Sequence, residues 1–103
     1  MPRLVFTAAA QADLLAIADY IQDTTGSVDV AERFVERLMK QCERLASFDT
    51  TMGRSRDDLL PGLRSVPFGA YLIFIRYVDA AVFEVIDIVH GSRDIQQVFQ
   101  MRD

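Results

Sequence analysis

The residues best suited to chemistry lie in the stretch from Arg64 to Asp94, which contains Arg76, Arg93 and the chain's one histidine, His90. Guanidinium groups bind carboxylates and phosphates, and an imidazole can act as a general acid or base near neutral pH. The same stretch holds the densest run of β-branched and aromatic residues. We therefore expect a docking face or a reaction site here, supported by the rest of the chain.

Arg76 and His90 each allow two interpretations. Arg76 lies in a segment with the pattern of a strand, so it must be paired or must reach water. It forms a structural ion pair, with Glu84 or Asp87 on the neighbouring strand, or it binds an anion. His90 follows the last strand, and a structural hydrogen-bonding role is favoured over a general acid or base or a surface group.

Arg54 and Arg56 belong to a charged cluster, Arg-Ser-Arg-Asp-Asp, at positions 54–58. The favoured interpretation is a solvated loop in which arginine pairs with aspartate. The alternative places both arginines at the rim of a binding site.

Metal and cofactor chemistry has little support in the sequence. The chain has one histidine and one cysteine, without the spacing of a metal site. It has no phosphate-binding loop, dinucleotide fingerprint or nucleophile elbow, so no cofactor is expected. Cys42 lies at helical spacing from Leu38 and Leu45, which is typical of a buried structural thiol.

Length and charge set further limits. The 103 residues, half of them hydrophobic, fit a single domain spanning 1–103. The net charge of -4 argues against nucleic-acid binding through a broad basic surface. A single cysteine excludes an internal disulfide, and no signal peptide or membrane-spanning run is visible, so a cytoplasmic location is expected.

The first half of the chain predicts a strand and two helices. Arg3–Phe6 is a short apolar strand, and Thr7 can cap the helix that the apolar periodicity predicts over Ala8–Asp23. After a glycine-containing turn, Asp29 is expected to cap a second helix that continues to Ser47. Helices joined by so short a turn should form an antiparallel hairpin whose apolar stripes cover a sheet.

The second half predicts mainly strands. An irregular segment is expected over 48–61, followed by strands at Leu63–Val66, ended by Pro67, at Tyr71–Val78 and at Val82–Val89. The last two strands are so uniformly apolar that both faces should be covered. A short C-terminal helix is possible around 95–99. The fold class is therefore α+β: a small sandwich in which a three-stranded antiparallel meander is joined by the first strand, at an edge or beside the final strand.

Four segments in this order resemble the RelE/ParE superfamily of type II toxin–antitoxin toxins, and the ParE branch most closely. They are FTAAAQADLLAIADYI, AERFVERLMKQCERLASF, GRSRDDLLPGLRSVPFGAYLIFIRY and VIDIVHGSRD, which together cover nearly the whole chain. No single motif is diagnostic, but the combined order is specific. The resemblance implies the RelE/ParE-like fold and a toxin neutralised by a cognate antitoxin.

The two branches imply different activities. ParE toxins inhibit DNA gyrase without being nucleases, whereas RelE-type toxins are ribosome-dependent mRNA endonucleases. RNA cleavage without a metal needs an acid, a base and cations, of which His90, Arg64, Arg76 and Arg93 could supply a partial set. No tyrosine or histidine follows His90, and the chain is acidic. Both observations favour a non-enzymatic ParE-type toxin; a third possibility is an inactive partner that only holds an antitoxin.

The resemblance also implies partners. A ParD-like antitoxin would form a hetero-oligomeric complex, wrap the groove between the hairpin and the sheet, and carry all contact with operator DNA. Gyrase is the probable target. The candidates for binding the target or the antitoxin are the cationic and histidine side chains and a set of hairpin apolar residues: Arg54, Arg56, Arg64, Arg76, His90, Arg93, Leu14, Ile17, Ile21, Phe34 and Leu38.

Overall fold

The computed structural model describes residues 2–100 and places a helical hairpin and a short third helix on a single sheet. The elements in chain order are β1 (Arg3–Phe6), α1 (Ala8–Thr25), α2 (Val28–Ser47), β2 (Arg54–Ser55), β3 (Arg64–Phe68), β4 (Tyr71–Tyr77), β5 (Val82–His90) and α3 (Ile95–Gln100).

The sheet has the strand order β1-β5-β4-β3-β2. Strands β2 to β5 pair antiparallel, and β1 lies parallel to β5 at the sheet edge. The predicted α+β class, meander and C-terminal helix are therefore confirmed. The first strand satisfies both expected positions, because it lies at an edge and beside the final strand.

Three local predictions were wrong. The segment 48–61 is not wholly irregular, since β2 pairs with Arg64 and Ser65 of β3. Pro67 does not end β3 but lies inside it, beyond the point where β2 stops, so its missing N–H is on an open edge. The cap of α2 is Ser27, whose Oγ accepts a hydrogen bond from Val30 N at 3.1 Å. The predicted Thr7 cap of α1 is confirmed.

Apolar side chains cover β4 and β5 on both faces, as predicted. The helical hairpin packs on one face, against a core that includes Ile73, Ile75, Phe83, Val85 and Ile88. The other face is covered by α3, whose buried Phe99 joins a second core with Leu63, Phe74, Ile86 and Val89. No helix within residues 2–100 is long and apolar enough to cross a membrane.

Candidate binding cleft beside His90

A β-bulge in β5 decides which face of the sheet His90 occupies. Phe74 pairs with Asp87 and Ile75 pairs with Val85, so Ile86 is the extra residue. Because side chains alternate along a strand, the extra residue moves His90 to the face covered by the helical hairpin. Without the bulge, His90 would lie on the face covered by α3.

Helix α1 secures the edge of β5 where β1 no longer pairs with it. The Thr7 hydroxyl donates to the Ile86 carbonyl at 2.6 Å, while also accepting from the Ala10 amide at 3.0 Å. One turn later, Asp13 Oδ2 accepts from the Ile88 amide at 2.9 Å. These bonds replace strand partners for buried backbone groups and fix α1 beside the end of β5.

The bulge and these hydrogen bonds create a cleft of about 420 Å³ between α1 and the end of β5. Helix α1 contributes Asp13, Ile17 and Tyr20, strand β4 contributes Tyr71, and the end of β5 with its following turn contributes His90, Ser92 and Arg93. The floor is apolar and the rim is polar. Such a lining suits a group that buries an apolar part and presents an anion or a hydrogen-bond acceptor to the rim.

The imidazole of His90 is held in one orientation. The Ser92 amide donates to Nδ1 at 3.1 Å, and Ser92 Oγ lies 2.7 Å from the same nitrogen. Because Nδ1 accepts from the amide, the proton of the neutral ring is on Nε2. Tyr71 packs edge-on against the ring, with centroids 5.3 Å apart. The neutral ring therefore keeps a hydrogen-bond donor at Nε2, and the His90 side chain lines the cleft.

Tyr71 and Arg93 add further donors to the cleft, whereas Asp13 contributes a carboxylate, one oxygen of which accepts from the Ile88 amide. Burial, and to a smaller degree the neighbouring Tyr20, raises the pKa of Tyr71, so its phenol stays protonated at neutral pH. The salt bridges formed within residues 2–100 do not include Arg93, which is exposed at the cleft rim. The His90, Tyr71 and Arg93 side of the cleft is therefore equipped to bind a carbonyl-bearing or acidic group, with the Asp13 carboxylate on the α1 side.

The remaining residues of the HGSRD segment shape the turn. The Gly91 amide donates to the Ala70 carbonyl at 2.8 Å, and a Cβ at Gly91 would lie 3.3 Å from that oxygen. The Arg93 amide donates to the His90 carbonyl at 3.0 Å. Asp94 Oδ1 accepts from the Gln97 amide at 3.1 Å at the start of α3. The segment thus joins the cleft to the helix on the opposite face.

Arg64 lies far from this cleft and bonds to backbone. Its Nε donates to the Met52 carbonyl at 2.8 Å and its Nη2 to the Gly53 carbonyl at 2.6 Å. Arg64 pairs across the sheet with Ile75, whereas His90 pairs with Tyr71. Four positions along β4 correspond to roughly 13 Å.

Arg76 and Arg56 form ion pairs. Arg76 Nη2 lies 3.2 Å from Glu84 Oε1, which is one of the two partners considered from the sequence. Arg56 forms a bidentate ion pair with Asp58, in which Nε donates to Oδ1 and Nη2 donates to Oδ2, both at 3.1 Å. Arg54 is exposed in β2.

The four nuclease candidates therefore do not converge. His90 and Arg93 share the cleft. Arg64 lies on the hairpin face at the other end of β4, and Arg76, next to Ile75 along the strand, lies on the α3 face. Among residues 2–100, no group of three His, Cys, Asp or Glu side chains is placed to hold a metal ion.

The five hairpin candidates lie in or against the core. Ile17 and Leu38 are buried, and Leu14, Ile21 and Phe34 are partly buried against the same cluster. The exposed apolar residues of the hairpin are different ones: Leu15, Tyr20, Val28, Val30 and Met39. Leu14 and Leu15 also line a shallow slot of about 300 Å³ between α1 and α2.

Asp13, Tyr20, Tyr71 and Ser92 were missed as cleft residues. The positions of Asp13, Tyr71 and Ser92 gave no chemical signal, and the bulge that brings the end of β5 against α1 leaves no mark in an apolar run. Tyr20 offered a weak signal, as an aromatic residue off the predicted apolar stripe of α1.

The family model described as the ParE toxin of the type II toxin-antitoxin system parDE matches residues 4–95. The chain belongs to the ParE toxin family. Toxin ParE1 of Mycobacterium tuberculosis, in strains CDC 1551 / Oshkosh and ATCC 25618 / H37Rv, is 30% identical over 95 residues, covering 92% of this chain and 95% of that toxin. A chain in the solved structure of the chromosomal ParDE TA system from P. aeruginosa matches with a TM-score of 0.76 and 25% identity, covering 87% of this chain and 96% of that chain.

The ParE match includes the whole cleft. His90 and Arg93 fall within the matched residues, which end at Ile95, the first residue of α3. The ParE assignment, inferred first from the four sequence segments, is thereby confirmed, together with the fold.

Proposed function

We propose that this ParE-family protein is a non-enzymatic toxin that inhibits DNA gyrase and is neutralised by a ParD-like antitoxin. The observation that carries the proposal is the separation of the candidate reactive residues. His90 and Arg93 share a cleft, while Arg64 and Arg76 are engaged elsewhere with carbonyls and a carboxylate. This arrangement suits recognition of a protein surface better than cleavage of a phosphodiester, which needs acid, base and cations around one phosphate.

The second face of the sheet supports the same proposal. Phe99 packs edge-on against Phe74 with ring centroids 4.9 Å apart, and Leu63 and Val89 belong to the same buried cluster. The middle of this face is therefore filled by side chains. The RelE-like alternative, a ribosome-dependent mRNA endonuclease, would have to use the His90 cleft alone.

The antitoxin is proposed to cover exposed apolar surface on the helical hairpin. Leu15 is 70% exposed and Tyr20 is 61% exposed, large fractions for such side chains. An apolar face of a ParD-like segment can bury them, forming a hetero-oligomeric complex. Since the toxin carries a net charge of -4, contact with operator DNA is assigned to the antitoxin. A cytoplasmic location follows from targets of this kind.

Expression without antitoxin separates the activities. Gyrase inhibition predicts filamentation and a DNA damage response, with loss of supercoiling activity when purified toxin is added to gyrase. Rapid loss of translation with cut transcripts would contradict the proposal, and no effect on growth would favour an inactive antitoxin-binding partner.

Variants of the cleft connect the activity to the structure. His90→Gln and Arg93→Gln should each weaken gyrase inhibition while leaving the fold intact, because both side chains lie at the cleft rim. Arg3→Gln removes an exposed charge from β1 and is the matched control. Unchanged inhibition by both cleft variants would remove the cleft from the proposal.

A further inference from the structure

The solvent-facing side of α2 carries four cations in one row. Arg33, Arg37, Lys40 and Arg44 recur at i, i+4, i+7 and i+11, which places them along a single stripe of the helix. All four are exposed. With a rise of about 1.5 Å per residue, this cationic row spans roughly 16 Å.

The acids of α2 equal its cations in number and lie on the adjacent stripe. They are Asp29, Glu32, Glu36 and Glu43. Each cation of the row has another cation three or four residues away, a spacing at which like charges destabilise a helix. Acids at the same spacing from Arg33 and Lys40 offset part of this repulsion.

Among the described residues, one cation of the row forms a salt bridge. Arg33 pairs with Asp29 at 2.7 Å. The other salt bridges formed among residues 2–100 involve Arg56 and Arg76, so none of them reaches Arg37, Lys40 or Arg44.

Apolar groups border the row. The guanidinium of Arg37 lies 5.7 Å from the ring centroid of Phe34, and that of Arg44 lies 5.9 Å from the ring centroid of Phe48. These contacts restrain two of the cations above aromatic faces. Val30 and Phe48 are each 39% exposed beside the row. A shallow concavity of about 440 Å³ runs along Val30 and the first three cations, with Glu36 in its wall.

We propose that the cationic row is a docking site for an acidic amphipathic segment of a partner protein. Carboxylates of the segment pair with the row, and its apolar side chains cover Val30 and Phe48. The row lies on α2, away from the His90 cleft, so the inference goes beyond gyrase inhibition and does not depend on it.

A protein segment fits this surface better than a nucleic acid. Without the row, the chain has 7 cationic and 15 acidic residues, a net charge of -8, since the full chain has 11 and 15. The acidic strip beside the row would repel a continuous phosphate backbone. A polypeptide can place carboxylates on the row alone.

The test uses the full chain and two synthetic helical peptides. One carries glutamates at the spacing of the row and leucines on the neighbouring stripe, and the other has glutamine in place of every glutamate. Binding is measured by fluorescence anisotropy at low and moderate salt. The main variant exchanges charges, Glu32→Arg with Arg37→Glu, which places an acid inside the row and the displaced cation away from it, and so keeps the net charge and composition. Arg37→Gln is compared with Arg3→Gln, which removes the same charge from β1.

The wild-type protein should bind the glutamate peptide about tenfold or more tightly than the glutamine peptide, and salt should reduce the difference. The charge exchange should remove most of that preference while circular dichroism and Tm stay near wild type, and Arg3→Gln should have no effect. Equal binding of the two peptides, or full binding by the exchanged variant, would overturn the proposal. Tighter binding of a single-stranded oligonucleotide to the same row would overturn the choice of a protein partner. A failure of gyrase inhibition would leave these results unaffected.

Discussion

Replacing Arg64 by alanine should destabilise the fold without acting on a binding site directly. The side chain is half-buried, and its two donors hold the carbonyls of Met52 and Gly53. Hydrogen bonds from charged donors contribute about 1.5–3 kcal/mol each when buried, so with partial exposure we expect a loss of about 2 kcal/mol in total. Arg64→Lys should recover only part of this, because a single ammonium lacks the fork that reaches both oxygens.

The segment held by Arg64 has little freedom to rearrange. Gly53 has φ of +87°, and a Cβ there would lie 2.8 Å from the Ser65 carbonyl oxygen. The Met52 amide also donates to the Tyr77 hydroxyl at 3.1 Å. Losing Arg64 therefore leaves carbonyls of a constrained segment without their donors, which is why the cost should appear in stability.

Urea denaturation measures this cost. A loss of about 2 kcal/mol moves the midpoint by roughly 1 M for a protein of this size. Arg54→Ala, an exposed arginine in the adjacent strand, is the control and should change stability by less than about 0.5 kcal/mol. If Arg64→Ala kept the wild-type midpoint and lost toxicity, Arg64 would belong to a binding site and the structural role argued here would be wrong.

Three further predictions follow from buried or hydrogen-bonded groups. Phe99→Ala removes a buried ring from the second core and should cost about 3 kcal/mol in urea denaturation, whereas the exposed Gln97→Ala should cost little. The pKa of Asp57 is lowered in the folded protein, chiefly because its carboxylate accepts a hydrogen bond from the Gly62 amide. Its contribution to the free energy of unfolding is therefore present above the pKa of the unfolded state and disappears as the pH falls. Asp57→Asn should flatten the dependence of the free energy of unfolding on pH below about pH 4. Burial, and to a smaller degree Glu43, raises the pKa of the Cys42 thiol to about 12. Alkylating reagents at pH 8 should therefore modify Cys42 only at the rate of unfolding. Fast labelling of the folded protein would contradict its burial.

The architecture was largely predictable because each element carries a strong local pattern. The apolar periods of α1 and α2 and the β-branched runs of β4 and β5 fix element type without knowledge of the fold. The two-residue strand β2 was not predictable, since its polar residues Arg54 and Ser55 pair only once β3 provides an edge. The cap of α2 was misplaced because Ser27 and Asp29 are both capable caps, and the geometry of the turn selected Ser27.

The cleft was only partly predictable. His90 and Arg93 attracted attention by residue type, but the face they occupy depends on the bulge at Ile86, which no residue type announces. The arginines illustrate a second limit. Their types are alike, and only tertiary contacts distinguish Arg64, which binds carbonyls, from Arg93 at the cleft rim.

The central claim is that this ParE-family protein acts by binding gyrase and not by cutting RNA. The most direct measurement adds purified wild-type protein and the His90→Gln variant to two reactions, DNA supercoiling by gyrase and translation of a defined transcript. The account predicts that wild type inhibits supercoiling, that His90→Gln inhibits it less, and that the transcript stays intact with both. A cleaved transcript alongside fully active gyrase would contradict it.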